Sequence, residues 1–488
     1  MAILGLDVGS TGCKAKVFSE GGEVLGSAHL EYPIFENVFE THGDIIWESV
    51  CKVIKDAVVN VNVPVSSMSI SSFGESLVPI DCSGNVLMNT MLYTDKRGGV
   101  QLSKLLEKID ETKIMSIAGM KPQTMYSLVK MMYIKDNYPK IYENTHKFLL
   151  VNSYITFMLT GEFIVDYSMA SRTMAFDIKN KNWSFELLDA AGISDSKMPD
   201  PVPSGKIIGK ICADKAQMLG LSEETVVVSG GQDQVCAALG AGVIDENVAI
   251  DGTGTVECIT PIFNNPNLTS EFLNNNFTCV PYILNEKYAT YAYNFTGGAI
   301  LKWFKQNFAC ESSYQELDRL GAKLPTDLIV IPHFAGSATP DMNENARGAF
   351  LGLKFDTDNA TLYRAMIEGV TFEMLYNLEI LKEFGIEFDE LRAVGGGAKS
   401  DYWLQIKASI LGKKIVSLDV EEAGIVGAAI MAGVATGIFE SYEQAVSVFV
   451  RTRKIFEPIE VDKKHYEKSF KRYKVAREAI ANIFKGEI

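Results

Sequence analysis

The sequence predicts an α/β protein of two similar domains with a ligand cleft between them, and three observations carry that prediction. The first is a pattern that occurs twice. Ile3-Leu4-Gly5-Leu6-Asp7-Val8 is an apolar strand with an Asp near its end, followed by the turn Gly9-Ser10-Thr11-Gly12 and a second apolar run to Phe18. Val248-Ala249-Ile250-Asp251, Gly252-Thr253-Gly254-Thr255 and Val256 to Ile259 repeat it. The second observation is length: 488 residues are too many for one hydrophobic core. The third is Gly395-Gly396-Gly397, set between a short apolar strand and a helix start, as in an α/β unit. A tight turn of Gly and Ser/Thr lets backbone N–H groups converge and adds hydroxyl donors, so it can cradle phosphate oxygens. Two such turns, one in each half, suggest two domains clamping one nucleotide.

The elements follow in order. Strand 3–8 meets the first turn, strand 14–19 follows, and Glu20-Gly21-Gly22-Glu23 turns into strand 24–30. A helix fits 44–61, starting near Asp44 with Ile45, Ile46, Val50, Val53, Ile54, Ala57 and Val58 on one side. Met68 to Ser72 is a short strand leading into Phe73-Gly74-Glu75-Ser76, then strand 77–80. The stretch 101–160 is mostly helical, and Pro199 to Gly209 reads as a loop. Strand 226–229 runs into Gly230-Gly231-Gln232-Asp233-Gln234 and a helix through Val235 to Ala241. The domain break is placed near 241–248, giving domains 1–244 and 245–488. Strands to about 293, a helix from Gly298, a loop over 333–349, a helix over 358–384 and strand 391–394 complete the second half. The last helix carries Tyr466, Phe470, Tyr473, Ile480 and Phe484 at helical spacing, a stripe that reads as core packing.

Composition narrows the function. A formal net charge of −15 argues against a nucleic-acid backbone as partner, though a local pocket can still hold an anion. Eight cysteines are scattered with no C-x-x-C pair, and the five histidines show no metal spacing, so reduced thiols in a cytoplasmic protein are expected. No signal-peptide pattern is seen at the start, and no apolar run approaches the roughly 20 residues that span a bilayer.

The chemistry-bearing residues can be weighed one by one. The run from Gly9 to Lys14 is too short for a Walker loop, and Glu257 stands where a dinucleotide fingerprint needs its third Gly. Gly395 to Gly397 would let a flat base or a phosphate approach bare backbone. Asp233 follows a strand and two glycines at a helix start. Spacing alone leaves it either an N-cap or a general base at the carboxyl end of a strand.

Taken in order, these motifs resemble the FGGY carbohydrate kinases, within the actin-like ATPase superfamily. Asp7-Val8-Gly9-Ser10-Thr11 is similar to the first phosphate motif, Gly231 to Gln234 to the catalytic-Asp segment, and Gly252 to Thr255 to the second phosphate motif. Gly298 with Trp303, Asn345 to Leu353, Glu368-Gly369-Val370 and Gly395 through Trp403 continue the series. The resemblance implies two actin-like (ribonuclease H-like) domains and ATP-dependent phosphorylation of a sugar or polyol hydroxyl. Asp233 would be the general base. Gly9, Ser10, Thr11, Gly252, Thr253, Gly254 and Thr255 would hold phosphates, and Lys14 would bring positive charge near the transferred group. Asp7 would sit near Mg²⁺ through water. Gly298, Lys302, Gly396, Gly397 and Asp401 would border the adenosine.

In the substrate pocket the chain departs from its relatives. Xylulose kinases typically carry Gln-Met-His-Gly where this chain has Phe73-Gly74-Glu75-Ser76, and glycerol kinases carry Arg-Glu. Glu75 falls on the glycerol-kinase Glu, a hydroxyl acceptor, and Gly74 replaces the Arg, leaving room for something larger than glycerol. Gln234 agrees with glycerol kinases, and Met125 falls roughly on their substrate Tyr. Asp95, in Tyr93-Thr94-Asp95-Lys96-Arg97, would either contact substrate or brace its loop. The expected substrate is a pentulose such as xylulose, with glycerol or another polyol as alternative. No nucleic acid or membrane partner is expected, and a homodimer is left open. A non-kinase actin-like ATPase is the competing class: an activase would need cluster-ligating cysteines, and a mere switch would not need Asp233.

Overall fold

The computed structural model describes residues 1–32 and 40–484. Among them, two mixed sheets carry the architecture. The first is built from β1 (Ala2–Val8), β2 (Gly12–Ser19), β3 (Val24–Glu31), β4 (Val65–Ser72), β5 (Ile207–Lys210) and β6 (Val226–Gln232), in the order β5-β6-β4-β1-β2-β3. The second contains β7 (Val248–Thr253), β8 (Glu257–Asn264), β9 (Val280–Pro281), β10 (Lys287–Ala289), β11 (Ala292–Asn294), β12 (Glu390–Val394), β13 (Lys414–Leu418) and β14 (Thr452–Phe456). Its order is β9-β10-β8-β7-β12-β13-β14, with β11 also paired to β8.

The sequence repeat is a structural repeat. β1 runs antiparallel to β2 and parallel to β4, and β7 runs antiparallel to β8 and parallel to β12. Each pair closes through its Gly turn: Gly9 N–H bonds Gly12 O at 2.8 Å, and Gly254 N–H bonds Val256 O at 2.9 Å. β1 is buried along nearly its whole length, as expected of a strand covered on both faces.

The helices that matter for the site are α1 (Gly43–Val58), α2 (Asp233–Gly240), α3 (Ala299–Phe308), α4 (Tyr314–Leu320), α5 (Asn359–Glu383), α6 (Asp401–Leu411), α7 (Ala423–Ala435) and α8 (Glu460–Ile483). α1 starts where His42 accepts the Asp44 N–H, and it buries Ile46, Val50, Val53, Ile54 and Ala57. It stops short of the expected residue 61. α8 buries Tyr466, Phe470 and Tyr473 against the inner face of α5, where Phe372 lies between them.

One reading changes, and the mostly helical stretch 101–160 is found with one strand inside it. The stretch Pro199 to Gly209 is not a plain loop: Asp200–Val202 pairs in parallel with Ile164–Asp166, and β5 begins at Ile207 on the sheet edge. Pro201 and Pro203 pointed to a loop, yet an edge or two-stranded pairing tolerates proline. Within 101–160, Lys147–Leu150 is a strand paired with Leu77–Ile80.

α7 crosses back from the second half of the chain. It packs along α2 and against β1 and β4, burying Ile425, Ala428, Ala429 and Met431. The helices meet backbone to backbone. A Cβ on Gly240 would lie 1.8 Å from Ala423 O, and one on Gly427 would lie 1.9 Å from Cys236 O. No helix of the described residues is long and apolar enough to cross a membrane.

Candidate active site

The first turn stands at the carboxyl end of β1. Asp7 pairs across the sheet with Lys14 on β2 and Ser71 on β4. Its Oδ1 accepts the Ser71 hydroxyl at 2.7 Å. Burial raises the Asp7 carboxyl above its usual range, against the Ser71 bond. The N-terminal turn of α7 closes over it: a Cβ on Gly424 would be 3.2 Å from Asp7 Oδ1. Lys14 Nζ bonds Glu422 Oε1 at 2.7 Å, so its charge is shared with the head of that helix. Gly9, Ser10 and Thr11 remain partly or fully exposed at the turn.

The second turn has a buried ionic base that the sequence did not disclose. Lys407, from α6, is fully buried between Asp251, which it bonds, and Glu257, 2.7 Å from its Nζ. The Thr253 hydroxyl donates to Asp251 at 3.1 Å and is buried. The Thr253 hydroxyl is therefore engaged inside the protein, where Lys407 Nζ also donates to it at 3.1 Å. Gly254 and Thr255 stay exposed at the tip.

The three glycines behind this turn have a packing reason. A Cβ on Gly397 would lie 2.6 Å from the Thr253 side chain, and Gly395 has φ +87° with Thr253 O beside it. Gly396 has only Thr253 O, at 4.0 Å. Gly254, Thr255, Gly298, Lys302, Gly396 and Gly397 then line one cavity of about 630 Å³. α4 closes its far wall with Ser313, Tyr314, Gln315 and Asp318, residues that sequence reasoning passed over. Their signal was present in Ser313-x-x-Glu316, a capping box that starts α4. Asp401 stands outside that lining: Arg453 and Lys454 hold its carboxylate at 2.8 and 2.7 Å.

Asp233 opens α2, directly after β6. The capping task falls to Gln232, whose Oε1 accepts the N–H groups of Gln234 and Val235 at 3.0 and 3.4 Å. Asp233 Oδ1 accepts Gln234 N–H at 2.7 Å and the Gln232 amide. Its Oδ2 has no hydrogen-bond partner among the described residues. Burial pushes the Asp233 carboxyl up to about 7, and the neighbouring Asp7 and Glu75 charges add to the shift. Gln234 follows it, half-buried.

Glu75 faces this carboxylate from the segment after β4, with φ +65°. Arg172 holds it, with Nε 2.6 Å and Nη2 2.5 Å from Glu75 Oε1. Arg172 also fills the space beside Gly74, its Cγ 3.2 Å from where a Cβ would stand. The room expected from Gly74 is taken. Tyr126 and Tyr291 lie at 5.3 and 5.8 Å from the guanidinium. Tyr291 also donates to Gln232 Oε1 at 2.9 Å, joining the two halves of the chain. Met125 is half-buried against the core cluster, and it is its neighbour Tyr126 that reaches the arginine. Asp95 is engaged on both oxygens by Arg97, and buried Lys130 bonds its backbone carbonyl, the geometry of a brace. Tyr93, two residues before it, lies near enough to Asp233 and Glu75 to feel their charges, which with burial raise its phenol above the usual range.

Comparison with known proteins gives a consistent picture. The N-terminal domain of the FGGY family of carbohydrate kinases matches residues 2–240, and the C-terminal domain matches 249–436. A xylulose kinase of Bacillus subtilis is 27% identical over 485 residues, covering 97% of this chain and 96% of that protein. A glycerol kinase of Thermococcus onnurineus is 29% identical over 490 residues, covering 97% of each. The crystal structure of a gluconate kinase from Lactobacillus acidophilus superposes with a TM-score of 0.92, at 24% identity and 99% coverage of both chains.

Proposed function

The chain belongs to the FGGY family of carbohydrate kinases, and from that premise we propose that it phosphorylates a hydroxyl of a pentulose such as xylulose, with Asp233 as general base. The observation that supports this most directly is the Asp233 carboxylate. One oxygen is tied to the start of α2, and the other is free beside Glu75. A hydroxyl held there can pass its proton to Asp233 as its oxygen attacks the γ-phosphate of ATP. A carboxyl pushed up to about 7 is matched to that task near neutral pH. Glu75 accepts a second hydroxyl through its remaining oxygen and orients the sugar.

The nucleotide would lie with its adenosine in the 630 Å³ cavity beside Gly298 and Gly397. Its phosphates would run toward the turns at Gly9 to Thr11 and Gly252 to Thr255, with Lys14 close to the transferred group. Asp7 fits a Mg²⁺ ion. Such an ion keeps most of its waters and needs only one or two protein carboxylates beside the phosphates, and Asp7 has one oxygen outside its Ser71 bond. Bound there, Mg²⁺ would neutralise phosphate charge. We also propose that the chain divides functionally at 244/245.

A second reading, a glycerol or other polyol kinase, has an observation in its favour. The Glu75–Arg172 pair restores beside Gly74 an arginine–glutamate couple, and it narrows the pocket. A coupled ATP-consumption screen over pentuloses, hexuloses, polyols and aldonates tests both. Turnover of xylulose above all others supports the first reading, and turnover of glycerol above pentuloses supports the second.

A further inference from the structure

Sugars that differ only in a terminal carboxylate differ in charge, and the corner around Asp233 has a charge pattern that discriminates between them. Arg172 is the only cation within contact of Glu75 among the described residues, and it is spent there: both Nε and Nη2 point at Glu75 Oε1. The side chain cannot swing away to meet another anion. It is 7% exposed, flanked by the Tyr126 and Tyr291 rings, and its stem packs against Gly74. A buried guanidinium is stable only beside a partner charge, so the pair holds as a unit. Its backbone is fixed as well. Arg172 ends the short helix Tyr167–Ser171, and Ser168 of that helix accepts the Gln232 N–H at 2.9 Å, one residue before Asp233.

The other cations around the corner are likewise committed. Arg97 and Lys130 are held at Asp95, and Lys14 at Glu422. Of the charged groups at the corner, what remains for a substrate is acceptor capacity, the second oxygen of Glu75 and the second oxygen of Asp233, beside the neutral Gln234 amide. Arg172 Nη1 is buried as well, with no hydrogen-bond partner among the described residues.

We propose that Arg172, locked onto Glu75, sets the charge class of the substrate, so that this site takes a neutral polyhydroxy sugar or polyol and rejects the corresponding sugar acid. The proposal rests on the kinase reading above and goes further than it, since the resemblance to xylulose, glycerol and gluconate kinases leaves the charge class open. A carboxylate placed here would face Glu75 and Asp233 with no uncommitted cation at the corner among the described residues, a like-charge arrangement that costs affinity steeply. Arg172 acts through Glu75 and is a positioning residue.

The test compares kcat/KM for D-xylulose, ribitol and glycerol with that for gluconate, xylonate and ribonate, in the wild-type chain and in Glu75→Gln. In the wild type the best neutral substrate should exceed the best aldonate by at least about 100-fold. Glu75→Gln leaves Arg172 with an uncompensated charge, so the aldonate-to-neutral ratio should rise by about 10-fold or more. A merely structural loss would lower both activities together and leave the ratio fixed, which would overturn the role of the pair. An aldonate turned over as well as the neutral sugars by the wild type overturns the charge-class proposal and leaves the kinase reading standing. Turnover of neither class overturns both.

Discussion

At the residue scale the site turns on Asp233. Its neighbours divide the work: Gln232 caps α2, Tyr291 fixes Gln232, and Asp233 keeps one oxygen free. Asp233→Asn should lower kcat by about 10²–10⁴ and leave the affinity for ATP near wild type, read by single-turnover assays and nucleotide titration. Wild-type turnover in that variant would remove Asp233 from the mechanism. The base must be ionised, so activity should fall on the acid side with a midpoint near the value of about 7 set by burial, Asp7 and Glu75. The same shift predicts a stability effect of opposite sense. The folded carboxyl holds its proton more tightly than an ordinary one at 3.8. Stability is therefore lost as pH rises from that value through about 7, and the loss is complete above it. Asp233→Asn should raise the melting temperature at pH 8 more than at pH 4.

At the element scale the two hairpin turns are the parts best read from sequence. Gly and Ser/Thr at short spacing after an apolar strand is a local pattern, and local patterns survive folding. The partners of buried charges are not local. Arg172 meets Glu75 across 97 residues of chain, and Lys407 meets Asp251 across 156. Nothing at those positions distinguishes them from surface charges, so the arginine beside Gly74 and the lysine beneath the second turn were invisible. The Gly395 to Gly397 run was legible as an approach of bare backbone, but what approaches Gly395 and Gly397 most closely is Thr253 of the second turn. Gly9→Val and Gly252→Val test the turns as a clamp. A Cβ on Gly252 meets only Cys258 O at 3.8 Å, an ordinary contact, and one on Gly9 meets Gly12 O at 3.3 Å, which asks the turn to give slightly. Each variant should keep its melting temperature within a few degrees and bind ATP more weakly by calorimetry. A loss in only one of them would mean that one turn alone holds the phosphates.

At the scale of the whole molecule, the proposed base and sugar contacts lie on the first sheet and the adenosine cavity on the second. Attack on phosphorus needs the reacting atoms about 3–3.5 Å apart, so the halves should approach once both ligands are bound, about the segment 241–248. Closure would also exclude water and limit ATP hydrolysis. Small-angle scattering with sugar and a non-hydrolysable ATP analogue should give a smaller radius of gyration than the free protein. An unchanged radius with both ligands bound would mean a preformed cleft. The return of α7 to the first sheet has a different consequence, one that concerns biosynthesis. β1 leaves the ribosome long before the helix that covers one of its faces, which is completed only at Ala435. During most of translation that face has no cover, and the nascent first half must wait, exposed or chaperoned, for a segment more than 400 residues behind it. Residues 1–244 expressed alone should therefore aggregate, and co-expression with 245–488 should restore solubility. A soluble, cooperatively melting 1–244 fragment would show that the first half completes itself without α7.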